Sequence, residues 1–404
     1  MSEDPARRLA ELVRSHRILV CAGSGGVGKT TTAASLALWG AMQGRHAIVL
    51  TIDPARRLAD SLGIGPIGNT PVRVSPETFE RAGIAVPGTL NAMMLDQKGS
   101  WDELVERHAP TPEARERILE NRFYKQLSQS FAGSQEYMAV EQLGELDSSG
   151  KYDLIVIDTP PTQHALDFLE APDRLLDFLD RKIVRWFVRP SMSAGWSAFQ
   201  TMNKTVGFIL RKIEEVTGVG TFAEVSDFFE SMSSLFDGFE ARVARVTELL
   251  RDHGTAFLLV AGPDEQVLDQ VEYLAEQMSS RRMPLRGVVM NRIYPLFQGT
   301  GVQGASPEEI ATRLAGPAER ALGAKPPGEM LARLARNFCA YQERAHGDAL
   351  RIEGFVQGLP AGVPFVQVPN LPRDIHDLAG LTALHPFLLG GTDGAQAGRE
   401  TGPG

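Results

Sequence analysis

The stretch Gly23-Ser24-Gly25-Gly26-Val27-Gly28-Lys29-Thr30 constrains this chain more than any other. It fits G-x-x-x-x-G-K-[ST] and directly follows the apolar run Ile18–Ala22. Glycines let a backbone curl until successive N–H groups point inward at phosphate oxygens. The helical pattern that follows, Thr31–Gln43, adds free N-terminal N–H groups and a dipole. In such a loop Lys29 reaches the β- and γ-phosphates and the Thr30 hydroxyl binds Mg2+. Gly23, Gly25 and Gly28 also satisfy the dinucleotide fingerprint G-x-G-x-x-G, with Asp53 at a ribose-binding distance. The Lys29-Thr30-Thr31 run after Gly28 favours the triphosphate reading, since a dinucleotide fold has no need for it.

A phosphate loop needs a strand before it and parallel strands beside it. Ile18–Ala22, Ala47–Ile52 and Leu154–Ile157 are short, β-branched and almost continuously apolar, as strands buried on both faces are. Ala256–Ala261, Gly287–Met290 and Pro364–Val368 repeat the pattern, and helical patterns such as Gln266–Met278 lie between them. Strand–helix alternation implies right-handed crossovers and a parallel sheet covered on both sides. The expected fold is therefore α/β, a doubly wound and mainly parallel sheet of the phosphate-loop NTPase type with a helical insertion. Two carboxylates fall at strand ends. Asp158 is placed to hold Mg2+ through water, and Asp53 to orient the water that attacks the γ-phosphate. An Asp in either place also serves as a helix cap, but joint occurrence with Lys29-Thr30 favours the functional roles.

Composition narrows the rest. The 404 residues carry 41 Lys plus Arg against 50 Asp plus Glu, a net charge of −9, which argues against a nucleic-acid partner. Two cysteines exclude a disulfide framework and a Cys-built zinc site within one chain, and the eight histidines never fall at ligand spacing. The charged, amphipathic N-terminus is no signal peptide, and no apolar run approaches the ~20 residues of a membrane span. A cytoplasmic chain without stable membrane insertion is expected.

Residues 16–388 read as one domain, with insertions at about 65–150 and, helical in character, at about 173–250. The tail 390–404 lacks core-forming residues. Within the second insertion, Met192, Trp196, Phe199 and Met202 begin one stripe at helical spacing, and Phe222, Val225, Phe229 and Met232 begin another that runs to Phe239. Such stripes pack into a protein's own core. They also suit an adaptable groove for a client helix, or a dimer surface.

The loop GSGGVGKTTT, the stretch TIDPARRLADSLG and the stretch IDTPPTQHALDFLEAP together resemble the ArsA-type ATPases. These include the arsenite-pump ATPases and the ATPases that target tail-anchored membrane proteins, within the MinD-like superfamily. The resemblance implies a homodimer closing around ATP, switch I at Asp53-Pro54-Ala55 and switch II at Asp158–His164, with Asp53 positioning the hydrolytic water. It further implies adenine recognition by Asn291 and by Pro369-Asn370-Leu371. The run Asn291-Arg292-Ile293-Tyr294 lacks the Asp that would grip guanine, so ATP is expected over GTP. The family's signature lysine at the loop's second position is absent, since Ser24 stands there; Arg56 or Arg57 could supply the missing charge, or be solvated helix arginines. A thiol metalloid site and a CxxC zinc clasp are absent as well. The resemblance leaves three roles: targeting of a hydrophobic or membrane-protein client, energising an anion or metalloid efflux system, and MinD-like spatial regulation. The last usually needs a C-terminal amphipathic helix, which the tail GGTDGAQAGRETGPG does not offer.

Overall fold

In the computed structural model, the structure describes residues 4–52, 57–109, 111–122, 124–125, 134–160, 241–297 and 304–390. Eight strands form one sheet: β1 Ile18–Gly23, β2 His46–Thr51, β3 Val72–Arg73, β4 Thr89–Met94, β5 Leu154–Asp158, β6 Thr255–Ala261, β7 Leu285–Ile293 and β8 Phe365–Pro369. Their spatial order is β3-β4-β2-β5-β1-β6-β7-β8. Every pairing is parallel except that of β3 with β4.

The six strands expected from apolar runs are all present. Their central members are apolar throughout because both faces are covered. Successive side chains of β1 divide between two cores: Ile18, Val20 and Ala22 face one, Leu19 and Cys21 the other. Helix α1 (Pro5–Ser15) and helix α2 (Lys29–Met42) cover the Leu19 face with Leu9, Val13, Ala33, Leu36 and Ala37. The helices Ser134–Ser148 and Glu265–Ser280 cover the other with Leu143, Val271 and Leu274.

Residues 65–150 contribute more than the sequence pattern indicates. They supply β3 and β4, and β4 runs parallel beside β2 in register from His46–Thr89 to Thr51–Met94. Thr89–Met94 escaped notice because it is near the sheet edge, where Thr89 and Asn91 stay half-exposed and no β-branched run is needed. The stripes at 192–239 and the tail 391–404 lie outside the described residues; helical residues 241–251 resume the chain before β6.

Candidate nucleotide site

The site sits at the C-terminal ends of the central strands, where a doubly wound sheet binds its ligands. β1 ends at Gly23, whose extended backbone lies so close to β6 that a Cβ would come within 2.0 Å of the Val260 carbonyl oxygen. The chain then curls through Gly26 and Gly28, both at positive φ (76° and 96°), and Lys29 opens α2. Only glycine takes the αL position at 28 without strain. It also makes room: a Cβ there would meet the Asn291 amide nitrogen at 2.4 Å.

Lys29 is 7% exposed, and its Nζ donates to the Ser24 carbonyl at 2.7 Å, which keeps the ammonium at the loop. Asp158 is fully buried at the end of β5, where the parallel register sets it beside Cys21 and Thr51. Its Oδ2 accepts from Thr30 Oγ1 at 2.6 Å and from Thr51 Oγ1 at 2.9 Å. Thr159 Oγ1 donates to the Cys21 carbonyl at 3.0 Å and fixes the start of the segment that follows β5. The Thr30 hydroxyl and the Asp158 carboxylate form a hard-oxygen pair at the loop, a donor set that suits Mg2+. Among the described residues no larger cluster of His, Cys, Asp or Glu could hold a metal. Burial, and secondarily the charge of Asp158, pushes the Cys21 thiol far above its usual range, so it is not a thiolate ligand.

The other side of the site is assembled from distant segments. Asn291 Nδ2 donates to the Val27 carbonyl at 2.8 Å, and Arg292 Nη1 to the Gly26 carbonyl at 3.0 Å. The Asn370 N–H donates to the Ile293 carbonyl at 2.8 Å, which draws Pro369–Leu371 against the end of β7. A cavity of about 460 Å3 is lined by Gly26, Gly28, Thr30 and Thr31 together with Arg57, Asn291, Arg292, Pro369, Asn370, Leu371 and the segment Arg373–His376. Ser24 does not extend outward. It is 6% exposed, and its hydroxyl donates to Gln270 Oε1 at 2.9 Å.

The sequence-predicted residues Gly23 to Thr31, Asp158, Asn291 and Pro369–Leu371 thus converge on one end of the sheet. Asp53 and the rest of switch I through Arg56, and the switch II residues beyond Pro160, lie outside the described residues. The sequence reading passed over Thr51, Gln270, Arg292 and Arg373–His376. Thr51 alone had a usable signal, as the register partner of Asp158.

A phosphate loop on the central strand, with a hydroxyl–carboxylate pair beside it, defines a phosphate-loop nucleoside triphosphatase. The comparisons narrow the class: the family model for anion-transporting ATPases matches residues 16–299, so the chain belongs to that family and is an ATPase. It is 27% identical over 286 residues to the ATPase GET3 of Malassezia globosa, covering 70% of this chain and 74% of the relative. It is 27% identical over 281 residues to ATPase ASNA1 homolog 1 of Paramecium tetraurelia, covering 67% and 73%. Among the described residues, no helix is long and apolar enough to cross a membrane.

Proposed function

We propose that this ATPase is a nucleotide switch that couples binding and hydrolysis of Mg-ATP in this cavity to binding of a hydrophobic helical client. The observation that carries the nucleotide part is the Thr30–Asp158 bond at 2.6 Å beside the buried Lys29. The β- and γ-phosphates lie in the loop amides with Lys29, and adenine lies toward Asn291 and Pro369–Leu371. Thr30, and Asp158 through water, would hold Mg2+, which supplies charge neutralisation on the phosphates. Asp53 orients the attacking water. Catalysis is then positioning plus preorganised electrostatics.

The client part is supported by the relatives named GET3 and ASNA1, by the resemblance to tail-anchor-targeting ATPases, and by the Met- and Phe-rich stripes of 192–239. On this reading the chain acts as a cytoplasmic homodimer of single domains spanning 16–388. Hydrolysis relaxes switch II and reshapes the insertion, so nucleotide state controls client binding. Arg57, exposed on the cavity rim, is the described candidate for the charge missing at Ser24. A thiol-based efflux role is not supported, because Cys21 is buried in β1 and Cys339 lies on the separate helix Gly328–Gly358.

One experiment tests the whole reading. ATP turnover, and retention of a Leu-rich peptide of about 20 residues with a non-hydrolysable ATP analogue, are measured for wild type and Lys29→Ala. Loss of both activities in Lys29→Ala is expected. Full turnover in that variant overturns the nucleotide site, and peptide retention independent of the analogue overturns the coupling.

A further inference from the structure

The end of β7 breaks a rule of strand geometry. Successive side chains of a strand point to opposite faces, yet Asn291 and Arg292 both reach the phosphate loop. They donate to the neighbouring carbonyls of Val27 (2.8 Å) and Gly26 (3.0 Å). The cause is local. Arg292 has φ 60°, in the left-handed region, and the β7–β8 register shifts between Met290 and Ile293. The Asn291 side chain stabilises that turn by accepting from the Arg292 N–H at 2.9 Å. A left-handed arginine costs about 1–2 kcal/mol, and strain of this kind gathers at ligand clamps.

We propose that Arg292 contacts the base of the bound nucleotide: its guanidinium, tethered to the Gly26 carbonyl, presents a flat face on which the purine rests. This rests on the reading of the cavity as the ATP site. Arg292 lines that cavity with Pro369 and Asn370, and the Asn370–Ile293 hydrogen bond places those residues beside it. It thus stands beside Asn291, the residue that the proposed function sets toward adenine. Its bond to the loop runs to a backbone carbonyl, which leaves further donors and the π-face of the planar group for a ligand. Arginine stacks on aromatic rings in a way lysine cannot.

The test exploits the backbone. Arg292→Gly removes the side chain while easing the positive φ, so lost binding cannot be ascribed to a strained turn. ADP and ATP affinities are measured by titration calorimetry in Mg2+ buffer. Inorganic tripolyphosphate is measured by displacement of a fluorescent ADP. The expected result is an equal, about tenfold, weakening of ADP and ATP, the scale of one desolvated cation–π contact, with tripolyphosphate unchanged. Unchanged ADP affinity overturns the proposal, and so does an equal loss for tripolyphosphate, which would make Arg292 a phosphate or scaffold residue. Lys29→Ala run in parallel separates the two readings. If it binds ATP and tripolyphosphate as wild type does, the site assignment itself fails, whatever Arg292 does.

Discussion

The two sides of the cavity are built on opposite plans. The proposed phosphate side comes from the contiguous loop 23–31, of which Gly26, Gly28, Thr30 and Thr31 line the cavity, backed by residues paired to it by sheet register. Lys29, Thr51 and Asp158 are outside that lining, buried and hydrogen-bonded. The proposed base side is drawn from 291–292 and 369–376, and Arg57, Arg292, Arg373 and His376 around the rim are exposed. The contrast follows from the chemistry. Charge develops at the phosphates, and fixed dipoles help most where no reorganisation is needed. A base keeps its charge distribution through the reaction, so a looser wall suffices to hold it.

Asp158→Asn breaks the buried side with the largest expected effect. The amide keeps the shape and an oxygen for the two threonine hydroxyls but loses the negative charge. Turnover at saturating Mg-ATP should fall on the order of 10³-fold, about 4 kcal/mol of barrier. A loss under about fivefold would mean that the buried side is scaffold and that the chemistry rests on the rim.

The two sides are joined mechanically through α2. His385 Nε2 donates to the Ser35 carbonyl at 3.1 Å, and Ser35 Oγ donates to the Leu381 carbonyl at 3.0 Å, so the C-terminal segment that follows the base loop is fastened to the loop helix. Burial lowers the His385 pKa to about 4, only partly opposed by the bond to Ser35. Well above pH 6.5 both folded and unfolded chains carry this histidine neutral, and it has no pH effect. As pH falls from about 6.5 to about 4 the unfolded chain takes up the proton first, and folded stability is lost. At pH 5 the loss is about 2 kcal/mol, from 1.36 kcal/mol per unit. Urea unfolding at pH 7 and pH 5 should show wild type losing about that much more than His385→Gln, which keeps a donor for Ser35. Equal acid sensitivity of the two proteins would show that this joint is not where acid acts.

The same contrast decides what could be read from the sequence. Lys29, Thr30 and the glycines were legible because a phosphate cradle requires particular residues at fixed spacing, and strand ends exposed Asp158. Five of the six expected strands are interior and were legible because burial on both faces demands apolar runs; the sixth, β8, lies at the sheet edge and alternates buried with more exposed positions. β4 was not legible, since its place beside the short edge strand β3 leaves Thr89 and Asn91 half-exposed. Asn291 and Pro369–Leu371 were reached only through the family resemblance, because contacts between segments so far apart leave no local pattern. Arg292 was seen merely as a residue that is not a guanine-binding Lys-x-Asp, since nothing in a sequence announces a left-handed φ at an arginine.

Ser24 gives the smallest and most pointed test. Read as sequence, it is an absence, the place where a lysine would cross to a partner. In the structure it is a bond: its hydroxyl turns inward to Gln270 on the helix Glu265–Ser280 and ties the start of the loop to that helix. A neutral, part-buried hydrogen bond of this kind contributes about 1 kcal/mol. Gln270→Ala should therefore lower stability by no more than about 1 kcal/mol in denaturant unfolding, with ATP turnover within about twofold of wild type, because glycine conformation and the Gly23–Val260 approach shape the loop independently. A tenfold fall in turnover would show that the helix Glu265–Ser280 sets the loop's working shape. The preorganised side of the cavity would then extend beyond the motif to an exposed glutamine, and the division between a buried phosphate side and an adaptable rim would have to be redrawn.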